Sequence, residues 1–278
     1  MRWPPFEHIF FDCDSTLTTI EGIDVLAETV GKRQRVEVLT QAAMDGAIDL
    51  EDVYGKRLKT LRPTHRQVMD IRHSYKRNMV EDAARVVAAL QALGHKVYII
   101  SGGLAEPVEE FGISLGIPRE RIRAVGINYN ELSGPWWEAS SNDDKRYLAY
   151  RDGALTVSDG KAQIVRELIG EQRGRSLLIG DGNSDLLAGR AVDLFVGYGG
   201  VVSRPKVRAG APVFIACQSL APLLALAGGP AELRILNTWP MHYPSLSLKA
   251  QYLIYQGALI FNDEQLESKF RRAFLSAQ

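Results

Sequence analysis

The stretch His8-Ile9-Phe10-Phe11-Asp12-Cys13-Asp14-Ser15-Thr16 decides the fold. An apolar run from His8 to Phe11 meets two carboxylates one residue apart, then two hydroxyls. That pattern predicts a buried strand that stops abruptly in a polar loop. Ligands in open α/β sheets bind beyond the carboxyl ends of the strands, so Asp12 and Asp14 stand where chemistry is done. Carboxylates so spaced can hold a hard cation jointly, or divide into a nucleophile and a proton donor. Taken alone, Asp-x-Asp reads as a solvated turn, so the rest of the chain must decide.

The same grammar recurs downstream. Lys96 to Ile100 is an apolar run opening into Ser101-Gly102-Gly103, and Ser176 to Ile179 opens into Gly180-Asp181-Gly182-Asn183-Ser184-Asp185. Helical periodicity covers Val80 to Leu93, stopping at Gly94, then a segment reaching about Leu115, then Gly160 to Ile169; short strands are predicted at Asp193–Val196 and Val213–Ile215. Alternation of this kind predicts an α/β fold, a Rossmann-like three-layer arrangement with a parallel sheet between helices. Gly22 to Lys76 is helix-rich, broken near Gly31, Gly46 and Pro63, with no strand inside it. It reads as a small helical cap inserted after the first strand. Ile122 to Leu155 reads as short strands and turns, notably at Asn128 to Gly134 and Arg151-Asp152-Gly153. The expected domains are residues 1–20 with 77–228 for the α/β core, 21–76 for the cap and 229–278 for a C-terminal extension.

Composition narrows the function. The 278 residues are 46% hydrophobic, enough to bury a sizeable core, and Lys plus Arg equals Asp plus Glu at 33 each. A net charge of zero gives no reason to expect a nucleic-acid or membrane partner. Cys13 and Cys217 offer neither metal-ligand spacing nor a disulfide framework, which suits a reducing cytoplasm. The start, Met1-Arg2-Trp3-Pro4-Pro5, lacks an apolar signal core, and no segment reads as a membrane span.

Three strand ends therefore bring polar loops to one rim. They carry Asp12 and Asp14, the hydroxyl and amides of Ser101-Gly102-Gly103, and Asp181 with Asp185; Lys161 near a helix start adds a cation. Each is weak alone. Together they are the parts of phosphoryl transfer through an aspartate: a metal to neutralise charge, a lysine and amides to hold equatorial oxygens, and a carboxylate to attack in line. Gly197-Tyr198-Gly199-Gly200 lacks dinucleotide-fingerprint spacing and reads as a loop.

On Asp12-Cys13-Asp14-Ser15-Thr16, Ser101-Gly102-Gly103, Lys161 and Gly180 to Asp185, the chain resembles the haloacid dehalogenase superfamily. Within it, Glu21-Gly22-Ile23-Asp24, Ala43 to Ile48, Arg57-Leu58 and Pro63 resemble the phosphoserine phosphatases, over roughly Glu7 to Ala227. The resemblance implies a phosphoric monoester hydrolase of serine biosynthesis, converting O-phospho-L-serine to L-serine and phosphate. Asp12 would be the nucleophile, carrying an aspartyl-phosphate, and Asp14 the acid and then the base. Mg2+ would be held by the Asp12 carboxylate, the Asp14 main-chain carbonyl and Asp181, with Asp185 supporting them. Ser101, Gly102 and Lys161 would bind the phosphoryl group. Glu21 would meet the substrate's amino group, Arg57 its carboxylate, and Met44 would shield the pocket. Without the resemblance, Glu21 reads as a helix cap and Arg57 as a surface residue.

Two positions depart from the family pattern: Leu50, where an aromatic is common, and Ser184, where asparagine or threonine is. The rival functions are hydrolysis of another small phosphomonoester (a phosphorylated amine, choline phosphate or a sugar phosphate) and a silent binding protein of the same fold. The implied partner is a small phosphorylated metabolite, and the assembly a monomer or homodimer. Beyond Gly229 the resemblance ends. There, Gln251–Tyr255 and Ala258–Phe261 flank Gln256-Gly257 as a hairpin or as one apolar helix weakened by Gly257, and Asp263 to Leu275 reads as an amphipathic helix capped at Asn262 or Asp263. This tail packs on the core or forms a subunit interface.

Overall fold

A computed structural model describes residues 3–131, 137 and 145–275. The first strand, β1 (His8–Phe11), is wholly buried, as four consecutive core-facing residues require. It lies inside a seven-stranded sheet of order β3-β2-β1-β6-β7-β8-β9, formed with β2 (Lys96–Leu104), β3 (Ile122–Val125), β6 (Ser176–Gly180), β7 (Leu194–Tyr198), β8 (Val213–Ile215) and β9 (Leu259–Phe261). All pairings are parallel except β8 with β9. The chain steps from β1 outward to β2 and β3, then returns to β6 on the other side of β1. That reversal opens a crevice at the carboxyl ends of β1, β2 and β6. The flanking helices include α5 (Ala83–Ala92), α6 (Ala105–Ser114), α7 (Lys161–Ile169), α8 (Asn183–Ala188) and α9 (Pro205–Gly210).

Between β1 and α5 the chain forms four helices, α1 (Gly22–Thr29), α2 (Arg33–Met44), α3 (Leu50–Leu61) and α4 (His65–Arg77). The predicted breaks have a physical cause: Gly31 and Gly46 take φ of +68° and +69°, and Arg62 takes the left-handed conformation just before Pro63. Thr64 opens α4 with a reciprocal capping box to Gln67. The block is joined at a narrow neck, where Thr19 N donates to Asn78 O and Val80 N to Leu17 O. A two-stranded antiparallel sheet, β4 (Ile127–Asn130) with β5 (Arg146–Tyr150), packs beside it, and Tyr147 N donates to Pro63 O. The turn expected over Asn128 to Gly134 falls partly outside the described residues.

Two expectations need correction. Ser101-Gly102-Gly103 is not a loop beyond a strand: β2 continues through Leu104, and its register against β3 shifts between Ile100 and Leu104. In the tail, Gln251–Tyr255 and Ala258–Phe261 form neither a hairpin nor a single helix. Helix α11 (Tyr243–Tyr255) stops because Gly257 turns the chain at φ +83°, and Leu259–Phe261 joins the open edge of β8. Helix α10 (Pro222–Thr238) is kinked at Gly229, which takes φ +70° ahead of Pro230, so residue 229 falls in mid-helix. The last helix, α12 (Glu264–Leu275), starts from Asp263, whose Oδ1 accepts the Gln265 and Leu266 amides. Among the described residues no helix is long and apolar enough to cross a membrane.

Candidate active site

Strand ends supply the reacting groups. Asp12 follows β1 directly, and its Oδ1 meets Lys161 Nζ at 2.7 Å. Lys161 begins α7 and also reaches Asp185 Oδ1 at 2.7 Å. Burial works against its charge, but the two carboxylates outweigh that and hold the ammonium above its usual range. Asp185 lies in α8 (Asn183–Ala188), and its second oxygen accepts the Gly182 amide at 3.1 Å. Gly180 is required here, because a Cβ would sit 2.2 Å from Asp185 Cγ. Asp181 accepts from Thr16 Oγ1 at 3.1 Å and from Arg204 Nε at 3.0 Å.

Asp14 is turned away from this group. Its Oδ1 accepts the Tyr75 hydroxyl at 2.7 Å and the Gly22 amide at 2.9 Å. A side chain at position 22 would collide with the Tyr75 hydroxyl, at 2.2 Å from a Cβ. Burial raises the Asp14 carboxyl to about 7, the Asp12 charge adds to this, and the bonds from Tyr75 and Gly22 oppose it. With Oδ1 accepting two bonds, the proton belongs on Oδ2. Glu21 sits at the start of α1 yet does not cap it; Asp14 takes that amide instead. Glu21 Oε1 accepts from Ser15 Oγ at 2.7 Å, and burial followed by the Asp14 charge pushes its carboxyl up to about 8. No cation among the described residues pairs with it.

A cavity of about 60 Å³ joins these groups to the helical block, with Arg57, Met44, Tyr54, Leu50 and Ser184 among its walls. Arg57 is no surface residue: it is 6% exposed, its NH1 donates to Thr40 Oγ1 at 3.1 Å, and its Nε has no hydrogen-bond partner among the described residues. Ser101 and Gly102 line the floor, so every site residue expected from the sequence except Asp181 and Asp185 borders this one cavity. Those two stand beside it with Asp12. The Asp12, Asp181 and Asp185 carboxylate oxygens lie within 4.8 Å of one another, all buried. Burial and the neighbouring carboxylates push Asp181 and Asp185 up to about 7 despite Arg204 and Lys161. Hard oxygen donors with excess buried negative charge fit a divalent cation.

Three participants went unread in the sequence. Tyr75, 61 residues from Asp14, left no local signal. Arg204 ties Asp181 to Asp45 at the end of α2, at 2.9 Å, and follows the strand end that carries Gly197 to Gly200. That fourth strand end was the available clue. Tyr54 stands three residues before Arg57 on the same helix face, a spacing that marks a shared wall.

A model of the haloacid dehalogenase-like hydrolases matches residues 6–193, and the chain belongs to that family. The phosphoserine phosphatase of Drosophila melanogaster is 34% identical over 209 residues, covering 74% of this chain and 73% of that protein. The chloroplastic phosphoserine phosphatase of Arabidopsis thaliana is 32% identical over 215 residues, covering 75% and 68%. A solved phospho-aspartyl intermediate analogue of phosphoserine phosphatase superposes with a TM-score of 0.67 at 23% identity, over 79% of this chain and 98% of that one; at that identity it speaks for the fold.

Proposed function

We propose that this chain hydrolyses O-phospho-L-serine to L-serine and phosphate, through an aspartyl-phosphate on Asp12. The carrying observation is Arg57: a buried guanidinium with an unpartnered Nε, in the same small cavity as Asp12 and Asp14. A buried orphan donor of this kind is costly unless an anion meets it. Glu21, on the same cavity, forms no ion pair with any described residue, and an ammonium placed beside it would favour its ionised form. An arginine and a glutamate beside a phosphoryl site match the carboxylate and ammonium of an amino acid.

In the first step an Asp12 oxygen attacks phosphorus as the bond to the serine oxygen breaks, and that oxygen takes the proton from Asp14 Oδ2. In the second, Asp14 removes a proton from the attacking water, the bond from Asp12 to phosphorus breaks, and phosphate leaves. Lys161 and the Ser101–Gly102 segment hold the equatorial oxygens. Mg2+, held by Asp12, Asp181 and the Asp14 main-chain carbonyl with Asp185 behind them, would neutralise charge on the transferring group. The helical block acts as a cap that excludes water from the first step.

The test compares L-phosphoserine with a monoester lacking the carboxylate, both with magnesium. Arg57→Ala is expected to lose about 10- to 150-fold in kcat/KM for phosphoserine, the equivalent of about 1.5–3 kcal/mol for a charge-assisted bond, and little for the other ester. Equal losses on both would remove Arg57 from substrate recognition and the phosphoserine reading with it.

A further inference from the structure

Tyr54 projects from α3 into the wall between the two ends of the cavity, 3% exposed. Its hydroxyl donates to the Gly102 carbonyl at 2.9 Å. Its ring lies under the Arg57 guanidinium, 5.4 Å from the centroid, and packs at 5.1 Å against the ring of Tyr150 on β5. One side chain thus touches both the arginine and the strand end expected to hold the phosphoryl group.

The link to that strand end is stereochemical. A trans peptide points its C=O and its N–H in opposite directions. The carbonyl that Tyr54 holds belongs to the Gly102–Gly103 peptide, and the N–H of that same unit donates to Ser101 Oγ at 2.9 Å. A serine hydroxyl carries one hydrogen and two lone pairs. With one lone pair committed to Gly103, the Ser101 hydrogen is left to point elsewhere, and no described residue accepts it. Ser101 is fully buried and lines the cavity, so an oxygen bound there is open to that hydrogen.

We infer that Tyr54 is a positioning and specificity-determining residue, whose hydroxyl sets Ser101 as a donor to the phosphoryl oxygens while its ring carries Arg57. The span between phosphate and carboxylate anchors is then governed by one side chain of the helical block. This rests on the phosphoserine reading for the Arg57 half only; the Ser101 half applies to any phosphomonoester.

The two halves separate in competition against turnover of an aryl phosphate, with inorganic phosphate and L-serine as inhibitors. Tyr54→Phe keeps the ring and loses the hydroxyl. Inhibition by phosphate is expected to weaken roughly three- to tenfold, the worth of one hydrogen bond, with L-serine inhibition unchanged. Tyr54→Leu removes the ring too, and both inhibitors are expected to weaken. Unchanged phosphate inhibition in a folded Tyr54→Phe protein overturns the Ser101 half, and unchanged serine inhibition in Tyr54→Leu overturns the Arg57 half. If L-serine does not compete in the parent, the phosphoserine reading and the Arg57 half fall together, while the phosphate arm still decides the hydroxyl's role. Should Tyr54→Leu fail to fold, the ring is tested by Tyr54→Met, with the same two outcomes for serine.

Discussion

The helical block and the C-terminal extension are similar in size and both bury apolar residues against the core, yet of the two only the block lines the candidate site. The block carries polar groups into its contact: Tyr75 donates to Asp14, Tyr54 to the Gly102 carbonyl, and Asp45 accepts from Arg204. The extension brings Leu233, Leu236, Leu246, Ala250 and Phe270, with β9 closing the sheet edge. The first half of α10, just before the extension, bonds the residues ahead of β1, with Trp3 Nε1 donating to Leu226 O and Phe6 N to Ala227 O, at the end of the strand away from Asp12. Buried polar groups are tolerated where a ligand repays them, and apolar burial serves stability. The two additions therefore divide chemistry from cohesion.

The sharpest way to break that division is to exchange the effects. Asp12→Asn is expected to lower turnover by about 10⁴-fold or more, since the amide cannot attack, while leaving the melting temperature nearly unchanged. Residual turnover near the parent's would end the aspartyl-phosphate reading. Phe270→Ala is the converse. Phe270 packs edge-on against Trp3 and tilted against Phe261 and Phe274, at 5.2, 5.3 and 4.5 Å, and its loss is expected to cost about 3–5 kcal/mol in denaturant unfolding. kcat/KM should stay at the parent value; a fall would show that the extension reaches the site.

A buried charged contact interrupts the apolar extension and sharpens the comparison. His95 Nδ1 meets the Phe6 carbonyl at 2.5 Å and Nε2 meets Glu232 on α10 at 2.7 Å. Both partners accept, so the ring must donate from both nitrogens. Burial lowers the His95 pKa, but the bond and charge of Glu232 and the Phe6 carbonyl outweigh it and leave it raised. The resulting stability is full below the ordinary histidine value of about 6.5 and is lost as pH rises through the raised folded value. Unfolding curves across that window should lose this slope in Glu232→Gln. A slope that persists would assign it to another group.

The smallest effect lies within the site. The Asp14 carboxyl, at about 7, must be protonated for the first step, so kcat/KM is expected to fall as pH rises past that value. Tyr75 donates to Asp14 and favours the ionised form; Tyr75→Phe should move this limb to higher pH. A limb that stays put would mean another group supplies the proton.

Much of the fold was legible because its signals are local. Apolar runs ahead of Asp12, Ser101 and Asp181 mark strands and their order of appearance, though β2 runs on to Leu104, and Gly31, Gly46 and Pro63 mark helix breaks. Leu259–Phe261 was ambiguous for the converse reason: a short apolar run becomes a strand only when an open edge such as β8 accepts it. Tyr75 and Tyr54 act across 61 and 48 residues, a distance no periodicity encodes. Residue types and spacing by themselves determined which groups reach the rim, because a strand's length and a glycine's freedom are properties of the local chain. Tertiary structure alone decided that Asp14 rather than Glu21 takes the first amide of α1, that Arg57 is buried without a partner for its Nε, and that Tyr54 bridges two walls. Those outcomes depend on which buried polar groups find one another once water is excluded.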